Sequence, residues 1–72
     1  MTNTKALERK ISESGLKLGF IAEKLNISYH WLKKKINNEQ PFKAYEIQIL
    51  CDVLSISDLE EKETIFFASD VE

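Results

Sequence analysis

Apolar residues recur along this chain at helical spacing, with no run of strict alternation that would suggest a strand. Leu7 and Ile11 lie one turn apart in the first stretch. Leu18, Ile21, Ala22 and Leu25 follow as i, i+3, i+4, i+7, and Leu32 and Ile36 mark a third segment. Ile47, Leu50, Cys51 and Leu54 form the inner stripe of a fourth, flanked by Tyr45, Ile49 and Val53. A fifth carries Leu59 and the cluster Ile65-Phe66-Phe67-Ala68. The pattern predicts an all-α fold of five short helices, at about 5–14, 18–25, 29–36, 44–54 and 58–67. They belong to a single domain over 1–72, with residues 69–72 frayed.

Polar and special residues set the boundaries. Thr4 is a candidate N-cap for the first helix, and Gly15 ends it as the residue able to turn left-handed. Lys17 is a poor cap for the second helix, and Gly19 in its first turn weakens it by about 1 kcal/mol relative to alanine. Between the second and third helices Asn26 is the residue that tolerates a left-handed backbone. Ala22 is small where the third helix must cross, and Ser28 is a favoured N-cap for that helix. The segment Asn37-Asn38-Glu39-Gln40-Pro41 reads as a loop, with Pro41 barring helix continuation. Phe42 and Ile47 are spaced for a hydrophobic staple, and Ser57-x-x-Glu60 for a capping box. The acidic first turn Asp58, Glu60, Glu61 suits the dipole of the fifth helix.

Composition narrows the function classes. Of 72 residues, 43% are hydrophobic and 31% charged, the balance of a soluble globular protein rather than a disordered one. No apolar run is long enough for a membrane span, and the first residues carry no apolar signal region, so the cytoplasm is the expected compartment. The single Cys51 cannot form an internal disulfide and is expected as a core thiol. One histidine and one cysteine far apart supply neither a metal set nor a nucleophilic pair. No enzyme, cofactor or small-molecule substrate is expected.

Net charge is −2, against the basicity usual in nucleic-acid binders, but its distribution matters more. Residues 1–27 hold five basic and three acidic side chains, residues 28–55 four and three, residues 56–72 one and six. The negative charge therefore sits in the tail. From Ser28 to Lys43, four lysines face one glutamate.

The run Gly15-Leu-Lys-Leu-Gly-Phe-Ile-Ala-Glu-Lys-Leu-Asn-Ile-Ser28, a lysine-rich helix, Ile36-Asn-Asn, Pro41-Phe42 and a helix closing on Cys51-Asp-Val-Leu-Ser-Ile-Ser resemble the Cro/C1-type helix-turn-helix domains. The likeness is nearest to small phage-encoded regulators whose chains end in a similar Ile-Phe-Phe segment, and it spans roughly residues 5 to 68. Ala22, Asn26, Ile27, Ser28 and Leu32 stand at the family's motif positions. Asn26 replaces the usual turn glycine. Leu18 and Gly19 stand where a polar residue, often glutamine, opens the second helix, and Trp31 stands where threonine or asparagine is common. The last two departures remove hydrogen-bonding groups from the face that meets DNA in the family.

The resemblance implies that the third helix enters a DNA major groove. Its candidate DNA-binding residues are Ser28, Tyr29, His30, Lys33, Lys34, Asn37 and Lys43. Lys33 and His30 are placed for guanine edges, and Tyr29 for a phosphate or thymine methyl. Lys34, Asn37 and Lys43 are placed for phosphates. The plain alternative is that three consecutive lysines solvate an exposed helix. Trp31 is expected in the core, under the fourth or fifth helix. Phe20 falls off its inner stripe and serves either a partner surface or packing against the tail. Ile65, Phe66 and Phe67 cannot all face one core, so at least one is available to a second chain. Phe20, Ile65, Phe66 and Phe67 are thus the candidate partner or dimer interface.

Two functions follow as expectations. The first is a phage-type Cro-like repressor that dimerises and binds double-stranded operator DNA. The second is an antirepressor, or modulator, forming a hetero-complex with the cognate phage repressor. Either works in the bacterial host cytoplasm, without a membrane.

Overall fold

The computed structural model describes residues 1–68, and the tail expected to fray lies outside the described residues. Five α-helices follow in order: α1 Thr4–Ser14, α2 Leu18–Leu25, α3 Tyr29–Ile36, α4 Ala44–Val53 and α5 Leu59–Phe66. There is no strand among the described residues.

The apolar stripes converge as their spacing predicts. Leu7, Ile21, Leu25, Leu32 and Leu50 are fully buried, and Ile11, Ile36, Ile47, Cys51, Leu54, Ile56, Ile65 and Phe66 complete the core around them. Each such aliphatic side chain removed from water contributes about 1.5–3 kcal/mol, enough to hold helices too short to be stable alone. α2 packs on both α3 and α4, while α1 packs on α3 and α5. Ala22, 3% exposed, lies among the core residues of α2. Phe42 and Phe66 meet edge to face with ring centroids 5.9 Å apart.

Several boundaries form by other means than the sequence suggested. Asn3, not Thr4, caps α1: its side chain accepts the Ala6 N–H at 3.1 Å. Thr4 is already helical, and its hydroxyl donates to the Ile36 carbonyl at 2.6 Å, tying α1 to the end of α3. The Ser57/Glu60 capping box does not form. Asp58 is the N-cap of α5 instead, accepting the Glu60 N–H at 3.4 Å, a closer-range bond than the i+3 geometry requires. α4 closes at Val53, and Ser55 behind it is left-handed at φ 59, which lets the Ile56 N–H reach the Cys51 carbonyl at 2.8 Å.

The first residues clamp the two ends of the described chain together. The Asn3 N–H donates to the Ile65 carbonyl at 2.7 Å, and the Ala68 N–H to the Met1 carbonyl at 3.0 Å. Thr2 is buried and exchanges two bonds with the Asn38 side chain, at 2.9 and 2.7 Å. Asn38, left-handed at φ 65, thereby joins the loop after α3 to the amino terminus.

Candidate macromolecule-binding face

The α2–α3 pair and its flanks carry most of the candidate contacts read from the sequence. The turn between the helices is set by Asn26, left-handed at φ 60, with its N–H bonded back to the Glu23 carbonyl. The Ile27 N–H returns to the Ala22 carbonyl at 3.0 Å, which closes the turn and aims α3 across α2. Ser28 caps α3 by accepting the Trp31 N–H at 3.0 Å. Its side chain is thus part of the helix terminus, although the residue stays exposed.

Beyond Ser28, α3 turns outward three rings in succession: Tyr29, His30 and Trp31 are all exposed. Trp31 is 40% exposed, which corrects its expected place in the core. The reason is angular. Trp31 precedes Leu32 by one residue, or about 100° around the helix, and so stands off the Leu32–Ile36 stripe. Phe20 on α2 is exposed at 42%, with the Lys24 ammonium 5.2 Å from its ring centroid. Phe20 and Tyr29 border one broad groove whose walls include Leu16, Leu18 and Gly19. A smaller cleft of about 260 Å³ lies where α1 meets α3, with Ile11, Leu18 and Ile36 in its lining and Lys33 and Asn37 beside them.

The lysines that looked alike in sequence have three fates. Lys33 is exposed, with no carboxylate at salt-bridge distance among the described residues. Lys34 is half-buried and lies 3.6 Å from Glu39. Lys35 is 3% exposed, its ammonium 2.6 Å from the Glu46 carboxylate and 3.3 Å from the Pro41 carbonyl. The same carboxylate accepts the Lys43 N–H at 2.8 Å, so one buried anion joins α3, the Pro41 loop and the start of α4. Sequence reasoning missed this pair. The signal was present: Glu46 falls on the inner stripe of its helix, one turn before Leu50, where an unpaired charge is prohibitive. Asn37 and Lys43 are exposed beside this junction.

The C-terminal interface candidates divide. Ile65 and Phe66 are each 3% exposed, buried in the chain's own core, and offer nothing to a second chain. Phe67 is 56% exposed. The expectation that at least one of the three stays available rests on Phe67 alone.

Cys51 is buried, and desolvation raises its pKa; nearby Lys62 opposes the shift, while Asp52 and Glu61 add to it. No helix among the described residues is long and apolar enough to cross a membrane. Compared with protein-family models, with curated proteins and with solved structures, the chain finds no match in any of the three.

Proposed function

We propose that this chain is a genetic-switch regulator of the Cro/C1 helix-turn-helix kind whose α2–α3 face binds a partner protein, the cognate repressor, and so alters that repressor's hold on DNA. α2 and α3 are the two helices of the motif. The observation that carries the reading is the exposure of Phe20, Tyr29 and Trp31 around the N-terminal end of α3. Rings of this kind supply large contact area at low conformational cost and dominate the centres of protein interfaces. The charge supports it from the other side. Lys35 is neutralised in the core and Lys34 is near Glu39, so a chain of net charge −2 leaves Lys33 as the clear cation of α3. The negative charge that would steer the chain toward a basic DNA-binding domain lies on residues 56–72, away from this face, so it speeds the encounter while the rings make the contact. No catalytic step or cofactor enters this reading.

Direct operator binding is the second reading, favoured by His30, Lys33 and Asn37 being exposed on α3 with Lys43 nearby in the chain. Fluorescence anisotropy separates the two. Labelled DNA flanking the gene is titrated at low and high salt, with and without the neighbouring repressor. Partner action predicts no selective binding alone and an altered repressor–DNA titration on addition. Tight selective binding by the chain alone, falling steeply with salt as counterions are released, would replace it with the Cro-like reading.

A further inference from the structure

The outer side of α5 is a second surface that no other described residue covers. Leu59 and Glu63 lie one turn apart on one line of the helix, Phe67 caps its C-terminal end with φ −126, and all three are exposed. Leu59 is 66% exposed and Phe67 56%, two large apolar side chains at opposite ends of α5. Asp58 and Glu60 stand beside them, also exposed, while Glu61 is engaged with Lys10 at 3.0 Å. Two such stripes are poorly suited to each other, because a symmetric contact sets carboxylates against carboxylates. What covers this face must bring apolar area and positive charge.

The same chain carries a surface of that description. The surface bordered by Leu16, Leu18, Phe20 and Tyr29 is a shallow, broadly open groove. Lys17 lies in its wall and Lys24 over the Phe20 ring, two cations against the single Glu23. No residue of α5 lines it, so one molecule offers stripe and groove together. We infer that the protein self-associates head to tail, the Leu59–Glu63–Phe67 stripe of one copy seated in the Phe20–Tyr29 groove of the next. The contact is heterologous and grows into rings or short chains. Its charge pairs lie at an exposed rim, so it is weak and salt-sensitive. Because Phe20 and Tyr29 also belong to the face given above to a partner protein, self-association competes with that partner. A concentrated protein would withdraw its own binding face.

The test uses the protein alone, so its failure is distinct from failure of the partner reading. Sedimentation velocity is run over about two decades of concentration at low and high salt. The weight-average mass should rise above the 8.4 kDa monomer at high concentration and fall back with salt. One variant carries Glu60→Lys and Glu63→Lys, the other Phe20→Ser and Lys24→Glu. All four positions are exposed, and circular dichroism confirms that each variant folds. Each should be monomeric alone, and an equimolar mixture should form a dimer, since each variant keeps one intact surface. A monomer at every concentration overturns the inference. So does association that persists in either variant alone, or a mixture that stays monomeric.

Discussion

At its N-terminal end α3 turns Tyr29, His30 and Trp31 outward, whereas four residues later Lys35 is sunk against Glu46 and Ile36 is held by Thr4. The first end is built of exposed rings on a serine cap. The second is a junction where α1, α3, α4 and the amino terminus are cross-linked by buried or half-buried hydrogen bonds. The difference teaches how a short helix can present a surface. Eight residues have little helical stability of their own, so one end is fixed by the fold and the other is left exposed to solvent.

The largest effect is expected at the fixed end. Glu46→Ala leaves the Lys35 ammonium buried without its anion and the Lys43 N–H without its acceptor. Breaking such a pair costs about 3–5 kcal/mol. A domain of this length has about 4–10 kcal/mol in total, so the urea midpoint should collapse. The double change Lys35→Met with Glu46→Leu should recover most of the loss, because an apolar pair of similar volume avoids the stranded charge. A double variant as unstable as the single one would show that the junction depends on something other than charge pairing.

At the presenting end the expectation reverses. Trp31→Ala should leave the unfolding free energy within about 1 kcal/mol of the parent. If the ring is an interface centre, it should weaken the repressor complex by about thirtyfold or more, the mark of a hot spot. Isothermal titration of the two proteins reads this directly. Lys33→Ala is the companion: a lysine that reads a guanine costs about 1–3 kcal/mol in specific operator binding and less in non-specific binding. Unchanged affinity in the Trp31 variant, with a loss confined to DNA in the Lys33 variant, would move the function to direct DNA binding.

The apolar stripes, the turn at Asn26 and the Ser28 cap were legible in the sequence because each is a local rule: a period of 3.6, a left-handed turn residue, an oxygen three residues before an orphan N–H. What was not read depended on a distant partner or on the angle of a residue around its helix. Asn3 rather than Thr4 became the cap because Thr4 had a carbonyl to bond at the end of α3. Trp31 has the residue type of a core aromatic, but its helical angle points outward. Lys35 reads with its neighbours as one charged run, yet it sits three residues after Leu32 and faces inward with it. Ile65 and Phe66 took the core positions on α5 and left Phe67 outside. For Trp31, Lys35 and Phe66 the angular position around the helix decided, against composition.

A smaller effect tests whether the presenting end needs its glycine. Gly19 lies within α2, and a Cβ added there meets nothing within 4 Å. Gly19→Ala should therefore stabilise by about 0.5–1 kcal/mol through the unfolded chain's lost freedom. Gly19 also lines the Phe20–Tyr29 groove, so a methyl group there narrows the site. A higher melting temperature with weaker partner binding would mean that backbone approaches backbone at this point. A higher melting temperature with unchanged binding would place the contact further along, toward Trp31.

The smallest effect belongs to the buried side and is visible only in alkali. Burial raises the Cys51 thiol above its ordinary value of 9.0, so the folded protein holds this proton more tightly than the unfolded chain does. The stabilisation is complete below the unfolded value and is lost as pH rises through it toward the folded one, because the unfolded state releases its proton first. Lysines and tyrosines titrate in the same range, so the comparison must be a difference. The gap in urea midpoint between parent and Cys51→Ala is followed from about pH 8 to about pH 10. It should shrink as the parent loses the thiol's share and the alanine variant does not. A constant gap would mean that the thiol ionises in place as easily as in water. α4 would then be open to solvent on the side where Cys51 lies, and the contrast between a closed junction and an open face would fail at its closed end.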